Sequence, residues 1–291
     1  MKLLRQHIEK QLISLTGLAL GGIDYESPPG DPGLFGPDSV CWRVHADFPS
    51  MLCGGISALM LQMLHPLALA GVLDHSNFRD DMIGRLRRTG QFIAGTTYAA
   101  EADARRLIER VRRIHDQVKG VGPDGRSYAA SDPTLLVWVH VAEMRSFLAG
   151  YLRYCNPELS EAEQDRYCDE VARIAEALGA QDVPRSSKAV EAYLEAMRPE
   201  LVFDERTAEV LSLLMNAPAP NRLTQPLGRI MTKAGLQLLP PWAQTMIGIN
   251  DSVWQRRTVK HGMNSVAPIM RWSFRNGASH RARRRMGIQW V

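Results

Sequence analysis

The chain has 291 residues, 45% apolar and 23% charged, with a net charge of +4. That length can bury one large core or two closely joined ones, and the composition excludes a disordered chain. Cys41, Cys53, Cys155 and Cys168 form no CxxC, which excludes a disulfide framework, a zinc knuckle, a thioredoxin-type site and covalent c-type haem, and fits a reducing, cytoplasmic location.

The N-terminus begins Met-Lys-Leu-Leu-Arg, and an apolar stretch follows at Leu12 to Leu20. Glu9, Lys10 and Gln11 interrupt it and no cleavage site follows, so it reads as a helix and not as a signal peptide. Residues 21–40 are loop, punctuated by Gly and Pro through Gly36-Pro37-Asp38-Ser39. Met51 to Leu73 has no formal charge and has membrane-spanning length. Gly54-Gly55, Gln62, His65 and Pro66 make it a poor membrane helix, and Pro66 breaks it near Leu64. It reads as a buried central pair of helices.

A helix is predicted from Asp80 to about Gly95. The next, Glu101 to Lys119, is strongly amphipathic, with Leu107, Val111, Ile114, His115 and Val118 on one face. Gly120, Gly122, Pro123 and Gly125 end it. Asp132-Pro133 caps and opens a helix to about Tyr154 that is apolar nearly all round and so is central. Ser160 and Glu163 form a capping box for a helix to about Leu178. Shorter helices follow at Ser187–Met197 and from Asp204 to before Pro218. Further segments lie near 223–238, 242–249, 251–261 and 267–275. Evidence for a sheet is scant, so the fold class is all-α.

Five histidines, His45, His65, His75, His115 and His140, lie between Cys41 and Val141. No HExxH places two ligands on one helix face, and no histidine has Glu three residues before it, so zinc-hydrolase and di-iron spacings are both absent. The pattern stays compatible with haem, which supplies four nitrogens and needs one axial histidine. His115, in the apolar stripe of its helix, is the best axial candidate; a packed core histidine is the alternative. Arg85, Arg88 and Thr89 share one helix face and can hold an anion, a haem propionate or dioxygen; a solvated face is the alternative, and Arg87 reads as solvated. Glu143 lies three residues after His140, and a carboxylate buried there needs His140 or an arginine as partner.

Several short motifs recur in one order. They are Gly36-Pro37-Asp38-Ser39, His65-Pro66 with Gly71 and His75-Ser76-Asn77-Phe78, and Arg85-x-x-Arg88-Thr89. His115 with Val118 and Gly120 follows, and then Tyr128-x-Ala130-x-Asp132-Pro133 leading into Trp138-Val139-His140. In these the chain resembles the haem-dependent oxygenases that comprise the latex-clearing rubber oxygenases and the mpaB-type oxygenases. The resemblance covers residues 36–155, with weaker similarity through Pro240-Pro241. It implies a globin-like helical core around a non-covalent haem b whose iron His115 ligates. It makes Arg85 and Thr89 the distal, catalytic pair and sets Arg88 and His140 beside the cofactor. It implies dioxygen and an apolar alkene, isoprenoid or other, as reactants.

Two departures set this chain apart from the rubber oxygenases. Where those enzymes have a distal lysine that ligates iron in a closed state, this chain has Arg88, whose guanidinium stays protonated and is a poor ligand. Their distal glutamate base has no counterpart, because no Glu occurs between Glu26 and Glu101. Together with the missing export signal, these departures point to an intracellular oxygenase of small apolar substrates. The chain then divides into an N-terminal helix and loop (1–35), a haem-binding core (36–155), supporting helices (156–250) and a basic tail (251–291). The tail has no acidic residue after Asp251 and carries Trp254, Trp272, Phe274 and Trp290. It reads as a solvated terminal helix, a peripheral membrane anchor or, least well, a nucleic-acid contact. Two other functions stay open: a non-enzymatic haem binder or sensor, and a haem-free helical lipid-binding protein.

Overall fold

The computed structural model describes residues 1–16, 22–217 and 225–288. Within them lie fourteen α-helices and one two-stranded hairpin, so the chain is all-α as expected. In chain order the helices are α1 (Lys2–Thr16), α2 (Val40–Ala46), α3 (Phe48–Met63), α4 (Pro66–His75), α5 (Met82–Tyr98) and α6 (Glu101–Gln117). The hairpin strands β1 (Lys119–Val121) and β2 (Ser127–Ala129) follow, pairing Gly120 with Tyr128. Then come α7 (Pro133–Tyr154), α8 (Glu161–Leu178), α9 (Ser187–Met197), α10 (Glu205–Met215), α11 (Gln225–Leu236), α12 (Pro241–Met246), α13 (Val253–Ser273) and α14 (Ala278–Arg285).

Most helix starts follow from side-chain capping. The Asp132 carboxylate accepts from Thr134 N at 2.8 Å, and Pro133, which has no N–H to satisfy, opens α7. The capping box of Ser160 and Glu163 opens α8, and Asp204 caps α10. Pro66 separates α3 from α4, and His65 caps α4 by accepting from Leu67 N through Nδ1 at 3.3 Å.

Packing revises several expectations. Segments 251–261 and 267–275 belong to one helix, α13, which continues through Pro268 and starts on a capping box of Ser252 and Gln255. Glycine and proline after α6 build the β1–β2 turn as well as ending the helix. Ile114 is half-exposed at 50%. The buried face of α6 is Ala104 and Ile108, with Leu107, Val111 and His115 partly buried beside them. Arg87, expected in solvent, is partly buried, and its Nε is shielded without a partner. Residues 223–224, residues 17–20 of the N-terminal apolar stretch and Trp290 lie outside the described residues.

The tail is built into the body. Arg271 makes a bidentate ion pair with buried Asp47, at 2.6 and 3.0 Å, and donates to Tyr154 O. Arg285 is buried and donates to the carbonyls of Asp31, Tyr25 and Ala99, which fixes α14 against the N-terminal loop. Trp254 remains 76% exposed at the start of α13, beneath the Arg257 guanidinium.

The centre of the core is the crossing of α3 and α7. A Cβ on Gly150 would lie 2.6 Å from Ser50 O, and one on Gly54 2.9 Å from Ser146 O, so only glycine permits this approach. Ser146 Oγ reaches Ser57 Oγ at 3.3 Å, and Trp138 Nε1 donates to Gln62 O. Among the described residues, no single helix is long and apolar enough to cross a membrane. The apolar pair α2 and α3 is bent by 91°.

Candidate functional site

A second face of α7 opens toward α5, while Glu143 and Phe147 at its edge still reach Gln62 and Gly54 of α3. His140, Glu143, Met144 and Phe147 follow at helical spacing and line a narrow cavity of about 40 Å³. Opposite stands α5, with Phe92, Ile93, Thr96 and Thr97; α2 closes one side with Cys41 and His45, and α8 the other with Tyr167, Val171 and Ile174. Each set repeats every three or four residues, the period that brings one helix face to a common surface. Thr89 and Arg85 lie one and two turns before Phe92 on α5.

The histidines separate into two groups. His45 has both ring nitrogens engaged, with Thr97 Oγ1 and Tyr167 OH, each at 2.9 Å. Its burial holds its pKa down to about 3. His65 is a helix cap tilted against Trp138, and His75 pairs through Nε2 with Lys119 O at 3.0 Å. These three have structural partners. His115 Nδ1 and His140 Nε2, in contrast, are shielded from solvent and make no hydrogen bond. Buried polar nitrogens are rarely left unpaired, so two such rings mark places where the fold itself does not supply the partner. Burial lowers the pKa of both, to about 4 for His140, and keeps each ring neutral and able to ligate or accept.

Arg85 connects these groups. Burial lowers its pKa, the Arg88 charge lowers it further, and Glu143 opposes both. Arg85 in turn lowers the pKa of His115, after burial and the opposing effect of Asp116. The Arg85 charge therefore acts on His115 at the α6 end and on Glu143 at the cavity wall. Glu143 Oε1 accepts from Gln62 Nε2 at 3.1 Å. The carboxyl found Gln62 and the Arg85 field, not His140, as its surroundings. Burial raises its pKa to about 7, against the hydrogen bond from Gln62 and the Arg85 charge, which both lower it.

Of the residues named from sequence, His45, His140 and Glu143 line the cavity, while Arg85, Thr89 and His115 do not. Arg88 is exposed and ion-paired with Asp81 at 3.6 Å. Sequence reading passed over the cavity face of α5 and the His45–Tyr167 bond. The first was visible as an apolar and hydroxyl stripe at helical spacing; the second joins residues 122 positions apart and had no local signal.

Comparison with known families gives one match. The model for the catalytic domain of the ER-bound oxygenase mpaB/B'/rubber oxygenase matches residues 42–272. The chain belongs to this family. The match runs from α2 to the end of α13, well past the region in which the sequence resemblance is densest. Comparison with curated proteins and with solved structures gives no match. Membership supports an oxygenase, with dioxygen and an organic substrate as its general partners.

Proposed function

We propose that this chain is a haem b-dependent oxygenase of small apolar substrates, alkenes or isoprenoids among them. The observation that carries the reading is the unpartnered, buried ring nitrogen of His115, one helix away from Arg85. Among the described residues no group of three or more His, Cys, Asp or Glu could hold a metal ion, so iron bound here would need most of its donors from a macrocycle. One neutral histidine with a free lone pair fits that requirement.

In this reading His115 would hold the haem iron, Arg85 and Thr89 would serve the reacting dioxygen and substrate, and Arg88 and His140 would contact the cofactor. The haem would supply the activation of dioxygen. The protein supplies the rest. Arg85 stays protonated and offers hydrogen bonds to negative charge developing beside it. Thr89 adds a neutral hydroxyl. Phe92, Ile93, Met144 and Phe147 give the organic substrate an apolar wall and exclude water. A cavity of about 40 Å³ is smaller than a macrocycle, so loading requires the wall to open. Cytoplasmic location and peripheral contact with a membrane through the exposed Trp254 edge complete the proposal.

Oxygen uptake tests it. Haemin-loaded protein given an isoprenoid alkene should consume dioxygen and yield an oxygenated product by mass spectrometry. Bound haem without uptake on any alkene would leave a haem binder or sensor instead. Failure to take up haemin, with co-purified lipid in the cavity, would favour the lipid-binding function.

A further inference from the structure

Glu143 is the one carboxyl among the described residues that line the cavity. Its surroundings are well fixed. Gln62 donates to it from α3 and is itself held, because its Nε2 also reaches Val139 O at 3.3 Å and its backbone carbonyl accepts from Trp138 Nε1. Arg85 faces it from α5, Tyr167 from α8, and His140 lies one turn before it on α7.

The other ionisable groups of the lining are committed to one form at neutral pH. Burial drives the Cys41 thiol and the Tyr167 phenol far up, and holds His45 and His140 neutral at about 3 and about 4. Glu143, at about 7, is the group that can be either charged or neutral. A proton-transfer residue works best with a pKa near the working pH.

We propose that Glu143 is the general acid–base residue of this cavity, a role that rests on the oxygenase reading above. As carboxylate it takes a proton from a substrate O–H or acidified C–H in the cavity, and the electron pair of that bond stays on the substrate. As carboxylic acid it returns the same proton to a product oxygen. The residue is unchanged over one turnover, and the dioxygen of the oxygenase reaction remains the oxidant. Arg85 favours the carboxylate and Gln62 orients it.

Infrared titration of the full chain without haem, alongside oxygen uptake of the haemin-loaded protein, tests this. The wild type should show a protonated-carboxyl band that titrates near pH 7. Glu143→Gln should remove the band, lower uptake by about 10²-fold or more and erase the matching limb of the pH profile. Gln62→Leu removes a hydrogen bond to the carboxylate, so band and limb should both move to higher pH. This second variant carries the test if Glu143→Gln does not fold. A band at the ordinary glutamate value would overturn the proposal and leave the oxygenase reading standing. So would uptake with an unchanged pH profile in Glu143→Gln, or in Gln62→Leu with its band moved. A wild type that binds no haemin overturns the oxygenase reading and the acid–base role with it.

Discussion

Helix α7 has two faces that obey different rules. Toward α3 it presents Ser146 and Gly150, its neighbours approach within van der Waals limits, and each polar group described there has a partner. Toward α5 it presents His140, Glu143, Met144 and Phe147, leaves a cavity, and keeps one ring nitrogen unpaired and one carboxyl near neutrality. The first face serves stability alone. The second accepts buried, incompletely satisfied polar groups, which cost stability and are kept where a ligand supplies the missing partner.

The largest expected effect falls on the close face. Gly150→Leu forces carbon into Ser50 O and should destabilise the fold by about 3 kcal/mol. Urea unfolding reads this, and a loss below about 1 kcal/mol would mean the crossing is looser than described.

The next contrast is between two cavity histidines. His45→Leu leaves Tyr167 OH and Thr97 Oγ1 without their partner and should cost about 1–3 kcal/mol. His140→Leu breaks no hydrogen bond at Nε2 and should be neutral or stabilising in the haem-free protein. If both cost the same, the division into satisfied and unsatisfied histidines is wrong.

Their pH signatures sharpen this. Both histidines have folded pKa values below the ordinary 6.5, so the unfolded chain binds protons first as pH falls. Their contribution is present above about pH 6.5 and is lost as pH falls toward about 4 for His140 and about 3 for His45. Glu143 has the opposite sign. Its folded pKa is raised, so stability declines as pH rises from about 4.5 to about 7, by at most roughly 3 kcal/mol. Thermal unfolding of Glu143→Gln against wild type across this window should therefore show an advantage for the variant that grows with pH.

The smallest effect belongs to Arg88. It is exposed and its pair with Asp81 is solvated, so Arg88→Ala should change stability by less than about 0.5 kcal/mol. A larger loss in haemin affinity than in stability would locate Arg88 beside the cofactor.

Much of the fold was legible because helix starts are local. Asp132-Pro133, Ser160 with Glu163, and Asp204 announce their helices within four residues. The break at Pro66 was equally plain. The continuity of α13 was not, because Pro268 reads as a breaker and only packing on α11 and α1 shows that the helix carries it. The structural use of Arg271 and Arg285 was also hidden, since their partners lie more than 100 positions away. At the site, His115 stood out by its place in an apolar stripe. The environment of Glu143 depends on Gln62 and Arg85, which come from two other helices, so the sequence showed the residue but not its surroundings.

Absorption spectroscopy reads haem binding by His115. Haemin is titrated into wild type, His115→Ala and His75→Ala, the last removing a histidine whose ring is already paired at the surface. A haem held by His115 should give a saturable Soret band in wild type and His75→Ala, and its loss or shift in His115→Ala. A colourless wild type, or a His115→Ala spectrum identical to wild type at equal affinity, would contradict it.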